Sequence, residues 1–538
     1  MQERFIKERL LTKRSQQQVQ WLKFMAIALL VVGIVFRWTN IDQKFFWHDE
    51  VINSFNVSGY TVTEATQELS QSEQINFGQL QKYQYPNTVK GFLDPVIVLA
   101  NNEPQNPPLY YLISWVWFRI FGNSITVARS LSVLISLAIF PCIYWLCREL
   151  FRSPATGWIA IVLVAISPFH LIYAQEARPY SLWSLTILLS SIFLLKAIRT
   201  ANNYSWILYS VTLTLSFYTF PFSLFVAIGQ GIYVLTIAKL KQDRAYHKYL
   251  LASICSIILY SPWLLFIKLN SHKISDWRAV DASFISLITT WMGNLSRVFI
   301  DFNLDSTAPA IYIIPPTLIL LLLTVCSLGY LCRKTTVSVW LFVVTLIITT
   351  AIALALPDLI LGGQRSRVAR YLMPSYLGID LAVAYYLAEE IFSHKLWRQL
   401  LSRTLLVLLI IFGIWSCSVS LQADHWWHKS WSKLSSYDDL KQVATVTNQS
   451  PESIMIAPDI SLFDEDAFFE LLSLTHLIKP QIRLQFGLDT KELSIESQNS
   501  LRNIASDRLF IYNPLTTALS PIPPERLQPI ADSFFELK

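Results

Sequence analysis

Eleven apolar stretches, each about as long as a bilayer core is thick, leave this sequence few folds to choose from. A hydrocarbon core of about 30 Å needs roughly 20 apolar residues per helical crossing. The stretches are 20–38, 126–147, 155–174, 178–198, 204–219, 221–238, 249–268, 310–331, 336–356, 371–390 and 402–420. Composition agrees: 53% of the 538 residues are hydrophobic and only 15% are charged, where a soluble domain carries about 25%. Much of the surface must therefore face something other than water. The net charge of +6 is modest and points away from a nucleic-acid partner. Six cysteines (Cys142, Cys147, Cys255, Cys326, Cys332, Cys417) lie in or beside apolar runs without metal-like spacing, and read as small packing residues. The first run, Trp21–Phe36, lacks a small-residue cleavage site and follows Arg4, Lys7, Arg9, Lys13 and Arg14, so it reads as a signal anchor.

Charge in the loops sets the threading, because Lys and Arg mark the cytoplasmic side. One apolar segment, Pro108–Phe121, is short, carries Arg119 and is rich in aromatic residues. With the N-terminus inside and this segment lying in the interface, the clusters at Arg148/Arg152, Lys196/Arg199, Lys239–Lys248, Arg333/Lys334 and Lys395–Arg403 all fall inside. If it crossed, all of them would be exported. The expectation is an all-α polytopic membrane protein of about eleven crossings, with interfacial helices in a first outer loop, 39–125. Residues 1–420 form the membrane domain. Residues 421–538 contain no apolar run long enough to cross and carry more charge, with Pro524, Arg526 and Asp532 among them. They read as a small extracytoplasmic α/β domain, with strands near 453–457 and 508–512 and helices over 437–446 and 464–474.

This threading leaves several polar groups outside. Trp47-His48-Asp49-Glu50 follows the first span. A carboxylate there serves as a general base or binds a cation, or the pair is simply the acidic first turn of a helix over Val51–Val57. The stretch Asn101–Tyr111, holding Glu103 and Asn106, is a proline-stiffened entry to the interfacial helix. Glu176 and Arg178 sit in the turn before Tyr180, and a later outer turn gathers Arg365, Arg367 and Arg370. Arginine kept outside against the topological bias suits an anionic partner, phosphate by its bidentate geometry or else lipid headgroups. His48, His170, His425 and His428 read as interfacial polar residues, since no His-x-x-x-His pair is present.

Taken in order, Trp47-His48-Asp49-Glu50, Pro107-Pro108-Leu109-Tyr110-Tyr111, Ser167-Pro168-Phe169 with Gln175-Glu176-Ala177-Arg178-Pro179-Tyr180, and Arg370-Tyr371-Leu372-Met373-Pro374 resemble bacterial glycosyltransferase family 39-like proteins. These are relatives of the protein O-mannosyltransferases, with the GT-C membrane fold. The likeness spans about 20–400. It implies a multi-pass protein of the plasma (inner) membrane that moves a sugar from a polyprenyl-phosphate carrier to a hydroxyl of a glycan, lipid or protein acceptor on the outer face. Asp49 would then be the general base with Glu50 in support. Arg178 and Arg370 would hold the donor phosphate, with Arg365 and Arg367 candidates by proximity. His48, Glu103, Asn106, Glu176 and Tyr180 are further site candidates. The family usually has His where this chain has Asn106, and an amide cannot become cationic.

The expected chemistry is displacement at the anomeric carbon, with Arg stabilising the departing phosphate and no metal or other cofactor. A pyrophosphate donor would instead bring in a divalent ion, with Asp49 and Glu176 as ligands. The rival reading is a polysaccharide or lipid transporter or flippase without transferase chemistry, which would place ionisable residues near the midplane. Here Asp380 is the clear mid-span charge. An O-antigen-type ligase is a third reading, but the early Asp-Glu loop does not match it.

Overall fold

The computed structural model describes residues 2–72, 74–241, 245–273, 281–302, 310–424, 437–450, 452–486, 508–512, 527–531 and 534–537. In chain order its helices are α1 Gln2–Trp38, α2 His48–Ser58, α3 Val62–Ser70, α4 Phe77–Leu80, α5 Asp94–Asn102, α6 Leu109–Phe121 and α7 Ile125–Phe151. There follow α8 Pro154–Ala165, α9 Pro168–Gln175, α10 Tyr180–Thr200, α11 Asn203–Thr219, α12 Ser223–Lys241, α13 Ala245–Leu269 and α14 Phe284–Arg297. The last are α15 Ala310–Lys334, α16 Val337–Leu361, α17 Met373–Ile391, α18 Leu396–Gln422, α19 Tyr437–Thr447 and α20 Glu465–Leu474. Six strands join them: β1 Gln74–Asn76, β2 Ile454–Ile456, β3 Arg483–Gln485, β4 Leu509–Tyr512, β5 Leu527–Ala531 and β6 Phe534–Leu537. His425, His428, Pro524, Arg526 and Asp532 lie outside the described residues.

The chain forms two compact units. The first comprises Met1–Ile41, Pro104–Tyr110 and Arg129–Ala423; the second comprises Asp42–Glu103, Tyr111–Ala128 and Asp424–Lys538.

Ten of the eleven predicted crossings are each formed by a single helix, and the eleventh, 155–174, is broken into α8 and α9. Among the described residues, α1 (from Gln20), α7, α10, α12, α13, α15, α16 and α18 are each long and apolar enough to cross a membrane. The pair α8 and α9, bent by 62°, makes a ninth span if counted as one. The other two differ for physical reasons: α11 has only 17 residues, and α17 carries Asp380, Glu389 and Glu390. The 13-residue α6 is too short to span. Large apolar side chains stay exposed on α13 (Ile254, Ile258, Leu265) and α15 (Ile319, Leu322), as on a surface meant for lipid. By contrast, α8 and α17 are buried along nearly their whole length.

The break between α8 and α9 is written in Ser167-Pro168. Proline lacks an N–H and disfavours helical backbone in the residue before it. Ser167 then caps the new helix, its Oγ accepting from the His170 N–H at 3.2 Å. Ser153-Pro154 starts α8 the same way. Close packing at the break needs glycine: a Cβ on Gly33 of α1 would lie 2.7 Å from the Ala165 carbonyl oxygen.

In the second unit the strands form one sheet in the order β1-β3-β2-β4-β6-β5. β2 is parallel to β3 and β4, and the outer pairs are antiparallel. The central β2 and β4 are buried throughout, as strands covered on both faces are. Pro529 falls in the edge strand β5, where a missing N–H costs no ladder bond. The expected strands and helices of the C-terminal segment thus form, β2, β4, α19 and α20 among them. One edge strand, β1, comes from the first long loop, and its Gln74, Ile75 and Asn76 pair with Gln485, Leu484 and Arg483. The first loop and the C-terminal segment are therefore one folded body. All six cysteines are free thiols; Cys142, Cys147 and Cys417 are buried, whereas Cys255, Cys326 and Cys332 are exposed.

Candidate functional site

The acidic candidates belong to the second unit, at the start of α2. Trp47 is the N-cap and makes no side-chain cap bond, and Asp49 and Glu50 occupy the first helical turn. That position favours acids, by about 0.3–1 kcal/mol at a surface. Helix capping alone does not explain the burial. Glu50 is fully enclosed and Asp49 half-buried, and burying a carboxylate costs more than a cap returns. His48 beside them has Nε2 3.8 Å from Asp466 Oδ1 at the start of α20, and its ring meets the edge of Phe469. On the far end of α2, Asn56 Nδ2 donates to Glu103 Oε1 at 3.1 Å. Phe55 packs on Phe468 and Phe469, so α20 holds α2 in place.

The basic candidates belong to the first unit. Arg178 follows α9 and Arg370 sits in a short 3-10 turn just before α17. Both are buried, and both guanidiniums approach one ring: Arg178 lies 6.0 Å and Arg370 5.8 Å from the centre of Tyr180. Arg370 is also 5.6 Å from the Tyr371 ring. Tyr180 in turn meets Tyr173 and Phe220 edge-on. The Arg178 backbone is fixed: its carbonyl accepts from Ser132 Oγ at 3.3 Å, and Ser132 shares a 2.7 Å bond with Tyr110 of the Pro-Pro-Leu-Tyr-Tyr motif. Glu176 is fully buried two residues before it, and Asn106 is half-buried in the same unit.

Arg365 and Arg367 have contacts of their own within this unit. Arg365 reaches Asp358 at 3.3 Å, and Ser366 donates to the other Asp358 oxygen from both its N–H and its Oγ. Arg367 contacts Thr290 Oγ1 and Gln364 Oε1. These contacts shape the turn after α16.

Three groups escaped the sequence reading. His170, expected to be a lone interfacial histidine, shares a 2.8 Å hydrogen bond with Asp380, both side chains being almost wholly buried. The signal was Asp380 itself, since a mid-span acid calls for a partner. Arg37 donates to the carbonyls of Gly33, Val164 and Ala165, closing the end of α8. Gln175 donates back to the carbonyls of Phe36 and Thr39 at the end of α1.

Residues 105–266 match the model of the dolichyl-phosphate-mannose-protein mannosyltransferase family. No curated protein matches the chain. Among solved structures, ArnT from Cupriavidus metallidurans bound to undecaprenyl phosphate is similar with a TM-score of 0.51 and 11% identity, over 95% of this chain and 97% of that one. The same protein in the apo state matches with a TM-score of 0.51 and 11% identity, over 97% and 98%. The Archaeoglobus fulgidus oligosaccharyltransferase in its apo form has a TM-score of 0.48 at 10% identity, over 91% of this chain and 70% of that one.

Proposed function

We propose that this chain, a multi-pass membrane protein with the GT-C fold and a segment of the mannosyltransferase family, transfers a sugar from a polyprenyl-phosphate donor to an acceptor hydroxyl on the extracytoplasmic face. The observation that carries the reading is the convergence of Arg178 and Arg370 on Tyr180. Two permanent cations brought to one ring from separate helical elements make a receptor for an anion. A monophosphate at the end of an apolar chain suits cations set among apolar helices. ArnT, whose fold this chain shares, has been seen bound to such a lipid, undecaprenyl phosphate.

In this reading Asp49 accepts the acceptor's hydroxyl proton as that oxygen forms its bond to the anomeric carbon. The bond from the anomeric carbon to the phosphate oxygen breaks, its electron pair stays on the phosphate, and polyprenyl phosphate leaves. Arg178 and Arg370 stabilise the charge developing there, commonly the largest share of such catalysis. General-base help contributes about 10²–10⁴-fold. Glu50, buried next to Asp49 in the first turn of α2, supports the site. A guanidinium can meet a monophosphate bidentately on its own, so the reading calls for no metal.

The test compares cells producing the wild-type protein, Asp49→Asn or no protein, by mass spectrometry of surface glycans and lipids. One species is expected to lose a sugar both without the protein and with Asp49→Asn, while the variant still inserts at normal level. A wild-type glycan profile with Asp49→Asn would sink the assignment.

A further inference from the structure

We infer that the buried His170–Asp380 hydrogen bond is a positioning tie that sets Arg370 against Arg178 for the donor phosphate. The inference rests on the phosphate reading above. His170 belongs to α9, the element that leads to Arg178; Asp380 belongs to α17, which follows directly from the turn holding Arg370. The bond between them is 2.8 Å long, and the two side chains are 3% and 1% exposed. No solvent competes for it.

The Arg178 side is anchored independently. Gln175, the last residue of α9, donates to the carbonyls at the end of α1, and Ser132 holds the Arg178 carbonyl. Arg370 has a different support. It stands on a four-residue turn, Ala369–Leu372, that runs straight into α17, so it moves with that helix. Ser375 holds α17 sideways, donating to the Ile347 carbonyl of α16. The bond from His170 is a direct polar link from α17 to the element carrying Arg178.

The geometry transmits the constraint upward. Asp380 lies seven residues beyond Met373, the first residue of α17, and His170 five before the end of α9. At 1.5 Å per residue the tie sits about 10 Å and about 8 Å from those ends. One helical turn towards the arginines, at i+3 and i−4, stand Tyr173 and Tyr376. Phe169 packs against both, at 4.8 Å and 4.9 Å, and Tyr173 continues to Tyr180 at 5.3 Å. A hydrogen bond at the base and an aromatic ladder above it thus end on the ring that both guanidiniums meet. A buried pair of this kind adds little net stability, and its contribution here is to register.

The experiment measures binding of undecaprenyl phosphate to the purified full-length protein in lipid nanodiscs, with thermal unfolding of each variant in parallel. Arg370→Ala is expected to weaken binding at least tenfold. Asp380→Leu, which removes the tie and leaves the buried His170 imidazole without its partner, should weaken it about tenfold and also lower the unfolding temperature. Asp380→Asn still accepts from the imidazole N–H and should bind within about threefold of wild type. The exchanged pair, His170→Asp with Asp380→His, should restore binding and decides the matter if Asp380→Leu does not fold. Wild-type binding by Asp380→Leu, or weak binding by folded Asp380→Asn or by the folded exchanged pair, beside a weakened Arg370→Ala, overturns the positioning role alone. Wild-type binding by Arg370→Ala overturns the phosphate reading and the tie with it.

Discussion

Gln84 and His476 are 392 residues apart in sequence and share a 2.7 Å hydrogen bond between Oε1 and the imidazole Nε2. The Gln84 amide nitrogen also donates to the Leu472 carbonyl at 3.1 Å and to Thr475 Oγ1 at 2.8 Å. One fully buried amide thus fastens the first long loop to the end of α20, within the unit that carries Asp49 and Glu50. Gln84→Leu removes three hydrogen bonds at once, each worth about 0.5–1.5 kcal/mol net. Limited proteolysis of the membrane-inserted protein should cut the variant within 42–103 well before the wild type. Truncation after Ala423 should have the same effect more strongly, because it also removes β3, the partner of β1.

Tyr180 makes a sharper prediction, because its ring and its hydroxyl separate. The two guanidiniums approach the ring face, each such contact being worth about 0.5–2 kcal/mol when desolvated. Tyr180→Phe keeps the ring and should bind a polyprenyl phosphate like the wild type. Tyr180→Ala loses both contacts and should bind roughly tenfold more weakly. Equal affinity in the two variants would leave the ring without a part in placing the arginines.

What the sequence reveals and what it hides follows from the range of the interactions. Crossing helices are legible because apolar length is local, although the stretch 155–174, read as one span, breaks at Ser167 into α8 and α9. The buried strands at 454–456 and 509–512 are legible for the same reason. β1 is three residues with alternating burial, and it becomes a strand only by pairing with Arg483–Gln485. His170 and Asp380 each look isolated until the fold closes 210 residues between them. The late outer turn reads as one cluster of three arginines. Its two 3-10 turns give Arg365 to Asp358 and Arg370 to Tyr180. Charge pattern marks a region, and only backbone geometry parts one arginine from the next.

The first loop should also respond to acid in a defined sense. The hydrogen bond from Lys82, 2.5 Å long, holds the Glu68 carboxyl below its ordinary value against the upward push of burial, and the Tyr83 hydroxyl helps. A carboxyl depressed in the folded state adds stability above its unfolded value, about 4.5, and loses it as pH falls through the folded one. Both partners are exposed, so the ion pair is worth no more than about 0.5 kcal/mol. Glu68→Gln should therefore be slightly more protease-sensitive than wild type at pH 7, and the gap should close towards pH 3. A gap that widens in acid would reverse the sign and exclude Glu68 as its source.

Orientation in the membrane is the premise under the extracytoplasmic assignment, and two positions decide it. Arg333 and Lys334 end α15, and exposed Thr336 follows them before α16 begins. Basic residues flanking crossing helices are retained on the cytoplasmic side. Val89 is 76% exposed in the first long loop, which the same count of crossings puts outside. In a background with exposed Cys255, Cys326 and Cys332 replaced by serine, a membrane-impermeant maleimide should label Val89→Cys in intact cells. Thr336→Cys should label only after permeabilisation. The reverse pattern would carry Asp49 and the arginine turns to the cytoplasm, where an outer-face acceptor never arrives, and the proposed reaction would fail on topology before any chemistry was measured.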